Sequence, residues 1–124
     1  MIFGHGIDLI EISRIEGAMK NKAFTKKVFT SNEISYCEAR KNKYYSYAVR
    51  FAAKEAFVKA LGIGLEKGIK WTDIEIINDQ QGKPEIFLSN TAKSIFHNLN
   101  LTHAFVSLSH TQEQALASVI LEKL

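Results

Sequence analysis

Two carboxylates stand where carboxylates are out of place. Asp8 interrupts Gly6-Ile7-Asp8-Leu9-Ile10, a run that otherwise reads as buried strand. A carboxylate among apolar side chains needs a donor, a cation or a metal as partner. By strand alternation Asp8 shares a face with Gly4 and Gly6, which leave open space beside it. Its competing use is as the cap of a helix beginning at Glu11. Glu55 lies within Arg50-Phe51-Ala52-Ala53-Lys54-Glu55-Ala56-Phe57-Val58-Lys59-Ala60-Leu61, whose apolar residues nearly fill the helical circle, the mark of a buried helix. Arg50 and Lys54 are spaced i, i+4, and so are Glu55 and Lys59. An ordinary helix ion pair is worth only ~0.3–0.5 kcal/mol. Three cations and one acid on so apolar a helix point instead to a site.

The chemistry these residues suit is divalent-metal and phosphate chemistry. Asp8 and Glu55 are hard oxygen donors with no thiolate or imidazole cluster beside them, which favours Mg²⁺ held by one or two carboxylates. Arg50, Lys54 and Lys59 near such an ion would suit a polyphosphate, the arginine as a fork and the lysines as point charges. Gly62 and Gly64 add backbone N–H groups that phosphate can approach closely. No Gly-x-x-x-x-Gly-Lys-Ser/Thr motif is present, so ordinary nucleotide hydrolysis is not indicated. His5, His97, His103 and His110 are scattered, and no two are spaced i, i+4. His110 ends a strand-like run, a turn position by composition and also a place where sites form. Nothing resembles a Gly-x-Ser-x-Gly nucleophile elbow. Tyr44, Tyr45 and Tyr47, beside Lys41 and Lys43, read either as core packing at a helix start or as a base-stacking platform.

These residues must be positioned by a mixed set of elements. Periodicity predicts a strand over Ile2–Ile10 and a helix over Glu11–Lys20 carrying Ile12, Ile15 and Met19 on one face. A turn and a short basic helix with Phe24 follow. Thr30-Ser31-Asn32-Glu33 matches a capping box and starts a helix to about Arg40. The long helix spans about Tyr44–Leu61, with Gly62 as its C′ residue; Gly62, Gly64 and Gly68 then make a flexible loop. Asp73–Asn78 and Glu85–Leu88 read as a hairpin, Ser89 or Asn90 as the cap of a helix to Leu99, and His103–Ser109 with Ala115–Leu121 as a second hairpin. The expected class is α+β, a mainly antiparallel sheet packed with a long buried helix.

Composition sets the bounds. The 124 residues suit one domain, and 46% apolar with 23% charged residues is ordinary globular usage. The single Cys37 excludes an intrachain disulfide framework and any multi-cysteine zinc site. No apolar run approaches the ~20 residues of a membrane span, and the N-terminus lacks a secretory pattern, so a cytoplasmic protein is expected. The net charge of +3 hides an asymmetry. Residues 14–59 hold eleven basic and four acidic side chains, a net of +7, which leaves −4 for the rest. That polarity suits an acidic partner or a phosphorylated ligand at the first half.

Taken together, Gly6-Ile7-Asp8-Leu9-Ile10-Glu11-Ile12-Ser13-Arg14-Ile15 and Arg50 to Gly64 resemble the two signatures of the holo-acyl-carrier-protein synthase family, the short single-unit type of 4′-phosphopantetheinyl transferase. Val28-Phe29-Thr30, Trp71-Thr72-Asp73-Ile74-Glu75, Gly82-Lys83-Pro84 and Val106-Ser107-Leu108-Ser109-His110 match in the same order, so the resemblance covers essentially the whole chain. His5 departs from it, standing where a smaller or apolar residue is common, and the stretch Lys20–Lys27 is short.

The resemblance implies transfer of 4′-phosphopantetheine from coenzyme A to a serine of apo-acyl-carrier protein, in support of fatty acid biosynthesis, with release of adenosine 3′,5′-bisphosphate. It implies Mg²⁺ at Asp8 and Glu55. Glu55 and Lys59 are the expected catalytic residues, the base being Glu55 through a water or a loosely held water alone. Arg50, Lys54, Lys59, Gly62, Gly64, Gly82, Pro84 and His110 are the expected coenzyme A contacts. Arg14, Lys22, Lys26 and Lys27, with Phe24 as apolar anchor, are the expected docking surface for the acidic carrier. A homotrimer with its clefts between subunits is implied, with no role for nucleic acid or membrane. Two other readings use the same residues: a basic RNA-binding module at 41–47, and a different Mg²⁺-dependent phosphotransferase.

Overall fold

The computed structural model describes residues 1–124, the side chain of Glu66 excepted. Strand β1 (Ile2–Glu11) runs directly into helix α1 (Ile12–Ala18), followed by α2 (Lys22–Val28), α3 (Ser31–Glu38) and the long α4 (Lys43–Leu61). Then come β2 (Ile74–Asn78), β3 (Pro84–Leu88), α5 (Asn90–Asn98), β4 (Leu101–His110) and β5 (Gln114–Lys123). All strand pairings are antiparallel. They form two sheets, β1-β5-β4 and β2-β3, so the first strand closes against the last.

The α+β class holds, with differences that have local causes. β1 extends to Glu11, and α1 starts at Ile12 with Glu11 at its N-cap and no side-chain cap. Asp8 therefore caps nothing. The expected flexible loop after α4 contains a 3₁₀ turn at Leu65–Lys67 and is punctuated by Gly62 and Gly68 at φ +78° and +90°. The capping box is formed in full, Thr30 Oγ1 accepting from Glu33 N and Glu33 Oε1 from Thr30 N.

The core lies between α4 and one face of the three-stranded sheet. Pairing puts Gly4, Gly6, Asp8 and Ile10 on the same face as Ala115, Ala117, Val119 and Leu121, all four of the latter fully buried. Ala52, Ala53, Ala56 and Phe57 of α4 meet them, also fully buried. The opposite face carries Ile7, Leu9 and Phe105, 53%, 59% and 50% exposed, with no layer over it among the described residues. His5 lies on that outer face and bonds Ser118 at 3.0 Å.

A polar knot ties the helices together. Lys54 Nζ, fully buried, donates to Val28 O and Glu33 Oε1, both at 2.7 Å, and to Trp71 O at 3.1 Å. Glu33, 1% exposed, also takes Ile76 N on Oε2 at 2.8 Å. One ammonium and one carboxylate thus join the end of α2, the start of α3, α4, the 3₁₀ turn at Trp71–Asp73 and β2. All three ammonium donors are used, as a buried lysine requires.

Candidate active site

Asp8 is brought to Glu55 by the glycines that precede it. A Cβ on Gly4 would sit 2.0 Å from Ala60 O, and one on Gly6 would sit 1.9 Å from Ala56 O. The space expected beside Asp8 is thus filled by the backbone of α4 itself. The two elements run in opposite directions, and two strand residues (~6.6 Å) keep step with four helix residues (~6 Å). Continuing the series, Asp8 arrives one helix turn before Ala56. Helical side chains lean toward the N-terminus, so Glu55 and Lys59 tilt back toward Asp8. Lys59 Nζ donates to Asp8 Oδ1 and to Ile7 O, both at 3.0 Å. Its third donor has no partner among the described residues, and the side chain is 53% exposed.

The electrostatics mark Glu55 as the strained member. Burial pushes its carboxyl above the ordinary carboxylate range, the charge on Asp8 pushes it further, and Lys59 offsets only part of this. No described residue donates a hydrogen bond to it. Two half-buried carboxylates that repel each other, one of them without a donor, form a seat for a cation. No group of three or more His, Cys, Asp or Glu converges among the described residues, here or elsewhere. Two hard oxygen donors, with room left for water and phosphate oxygens, fit Mg²⁺ and would not suffice for a structural zinc.

The remaining expected site residues do not all join this pair. Lys54, expected at the phosphates, cannot serve there: it is sealed in the knot with every donor taken. Burial pushes its ammonium down and Glu33 holds it up. Arg50 faces the same side of α4 as Lys54, ~140° round the helix from Glu55. It is 2% exposed, stacks over Tyr36 at 4.4 Å, and donates from Nη1 to Ser46 O at 3.2 Å and from Nη2 to Asn78 Oδ1. Its Nε has no partner among the described residues. Arg50 therefore contributes charge from behind the surface and no open fork. Asn78 Nδ2 donates to Gly82 O at 2.8 Å, which brings Arg50 together with the turn that carries Gly82 and leads into Pro84.

His110 ends β4 and packs on Tyr45, ring centroids 4.6 Å apart. Tyr45 lines a cavity of about 670 Å³ together with Glu11, Ser13, Lys41 and Tyr44, which none of Asp8, Glu55 and Lys59 touches. Gly62 closes α4, and Gly64, in extended conformation, opens the next turn. Arg14, Lys22, Lys26 and Lys27 are exposed on α1 and α2, whereas Phe24 is half-buried against Phe51 at 6.2 Å. Tyr47 is fully buried with its hydroxyl on Glu38 Oε2 at 2.7 Å and packs the core, whereas Tyr44 and Tyr45 are half-buried on the wall of that cavity. Burial lifts the Cys37 thiol to about 12, which leaves it inert.

Two residues escaped the sequence reading. Glu33 showed only its capping role, although an unexplained lysine on a buried helix already required a buried acid. Asn78 left no signal, because a strand-end asparagine is ordinary.

Comparison with known proteins gives the family. Residues 4–119 match the family model of the 4′-phosphopantetheinyl transferase superfamily. A holo-[acyl-carrier-protein] synthase of Geobacter sp. (strain M21) is 47% identical over 125 residues, covering 99% of this chain and all of the relative. The crystal structure of the Neisseria meningitidis holo-[acyl-carrier-protein] synthase superposes with a TM-score of 0.90 at 32% identity, over 99% of this chain and all of that one. The Bacillus anthracis synthase, solved in complex with CoA (3′,5′-ADP), gives 0.83 at 37% identity over 100% and 99% of the two chains. With the signature residues in place along a single fold, the chain belongs to the 4′-phosphopantetheinyl transferase superfamily, in its holo-[acyl-carrier-protein] synthase branch.

Proposed function

We propose that this phosphopantetheinyl transferase moves 4′-phosphopantetheine from coenzyme A to a serine of an apo-acyl-carrier protein, working in the cytoplasm in support of fatty acid biosynthesis. The observation that carries the reading is the Asp8–Glu55 pair, seated by direct backbone contact between β1 and α4. Asp8 and Glu55 would hold Mg²⁺. When bound there, Mg²⁺ neutralises pyrophosphate oxygens and stabilises charge on the leaving phosphate.

The chain's own residues do the rest. Lys59 fixes the Asp8 carboxylate with one donor and the β1 backbone with another, and offers its third to a phosphoryl oxygen. The Gly64 backbone N–H can approach the pyrophosphate, whereas the Gly62 N–H, expected there too, is taken by Val58 O and Lys59 O at the end of α4. Gly82, Pro84 and His110 contact the nucleotide end, with the Arg50 charge behind them. The serine hydroxyl gives its proton to a water, held by Glu55 or loosely held alone, as a bond forms from its oxygen to the β-phosphorus. The bond from that phosphorus to the bridging oxygen breaks, and the oxygen leaves on adenosine 3′,5′-bisphosphate. Because such transition states are loose, a strong base is not required.

The basic, exposed Arg14, Lys22, Lys26 and Lys27 suit an acidic carrier, with the exposed part of Phe24 as anchor. The bare apolar face of Ile7, Leu9 and Phe105 supports self-association into a homotrimer. Among the described residues no helix is long and apolar enough to cross a membrane.

The test is intact-mass analysis of an apo-carrier incubated with the protein, coenzyme A and Mg²⁺. The carrier should gain one phosphopantetheine arm. The gain should vanish in EDTA and fall by at least ~100-fold in rate for Asp8→Ala, since losing even an outer-shell partner of a metal ligand costs about 10–100-fold. An unmodified carrier would refute the proposal.

A further inference from the structure

The β2–β3 turn has a fixed shape of its own. Asp79 Oδ1 accepts from Gln81 N at 2.8 Å and Lys83 N at 2.9 Å, Asp79 N donates to Lys83 O at 2.8 Å, and Gly82 N to Asp79 O at 3.0 Å. Gly82 takes the left-handed φ of +90° that this turn needs. None of those bonds fixes where the turn stands relative to the rest of the molecule. The turn is exposed from Asp79 to Lys83, at the tip of a two-stranded sheet.

The side-chain link from this turn to another element, among the described residues, runs through Asn78. Its Oδ1 accepts from Arg50 Nη2 and its Nδ2 donates to Gly82 O. The amide cannot be reversed, because guanidinium only donates and carbonyl only accepts. Arg50 is a rigid post for it, 2% exposed and clamped between Ser46 O and the Tyr36 ring. One amide thus converts a self-contained turn into one docked on α4.

We infer that Asn78 is a positioning residue for the nucleotide end of coenzyme A: it touches no ligand itself but sets the place of the Gly82–Pro84 segment against α4. This rests on the proposed transferase reading. Losing the bridge leaves the turn's shape and the Asp8–Glu55 pair intact, so nucleotide affinity falls and the chemical step does not.

The experiment measures calorimetric binding of adenosine 3′,5′-bisphosphate, with steady-state kinetics on coenzyme A and apo-carrier, all at raised ionic strength. Asn78→Leu removes both bonds while keeping the same branched side-chain skeleton. Asn78→Asp keeps the acceptor for Arg50 and removes only the donor to Gly82, so it remains informative should the leucine variant fail to fold. Gln80→Asp adds the same charge to the turn without touching the bridge. Both Asn78 variants should bind the bisphosphate and show a coenzyme A KM about five- to twentyfold weaker, the scale of one lost hydrogen bond. Their kcat and carrier KM should stay within about twofold, and Gln80→Asp should bind like the parent. Parental affinity in both Asn78 variants, or a fall in kcat at unchanged KM, overturns the inference and leaves the transferase reading standing. So does equal weakening by Gln80→Asp and Asn78→Asp with Asn78→Leu unaffected. A parent protein that turns over no coenzyme A and binds no bisphosphate overturns both.

Discussion

Replacing Lys54 by Met separates two roles that the sequence alone could not tell apart. The substitution keeps the apolar stem and removes an ammonium that serves Val28 O, Glu33 Oε1 and Trp71 O. Glu33, 1% exposed, is left as a buried anion whose remaining donors are the backbone N–H groups of Thr30 and Ile76. Removing one partner of a buried pair costs about 3–5 kcal/mol, a large share of the ~5–15 kcal/mol that holds a domain together. With a urea m-value of ~1.5 kcal/mol/M, the unfolding midpoint should fall by about 2–3 M. Urea unfolding at matched protein concentration reads this directly, and steady-state kinetics on the folded fraction at low temperature should show the parental KM for coenzyme A. Lys59→Met is the converse case. Its side chain is 53% exposed, so stability should drop by no more than ~1 kcal/mol while turnover collapses. A Lys54→Met protein that unfolds with the parent yet binds coenzyme A poorly would show that Lys54 reaches the substrate after all.

The β1–α4 contact predicts a contrast between glycines. Gly6→Ala drives a methyl to 1.9 Å from Ala56 O and should cost about 3 kcal/mol or more in thermal unfolding, whereas Gly17→Ala, with nothing within 4 Å, should gain ~0.5–1 kcal/mol. Glu55 predicts a pH dependence. Its carboxyl is raised in the folded protein, so the stability it contributes is present at low pH and is lost as pH rises through that raised value. Glu55→Gln in EDTA should therefore be at least as stable as the parent at pH 7–8. Added Mg²⁺ should raise the parent's melting temperature by more as pH climbs from about 5 to 8, and should not raise that of Glu55→Gln. A variant less stable than the parent across this range, with Mg²⁺ shifting both alike, would contradict the assignment.

The order of elements was legible because each one carries its own local chemistry: period-2 alternation in the strands, the Thr30–Glu33 box, and Gly62 at the end of the long helix. Asp8 and Glu55 stood out for a different reason, since charge in an apolar run is costly and must be matched. The same reasoning led Lys54 to the wrong partner. Cost shows that a buried ammonium needs an acid, but it does not show which acid, and Glu33 was already accounted for as a cap. Helix phase could have separated the two: Arg50 and Lys54 lie ~40° apart on one flank, whereas Glu55 lies ~100° further round from Lys54. Once β1 is known to lie against the Ala56–Ala60 backbone, only the second flank can face Asp8. That contact depends on two hydrogen atoms standing where side chains would be. Gly4 and Gly6 are therefore not space left beside the carboxylate but the reason that β1 lies against the flank of α4 that carries Glu55.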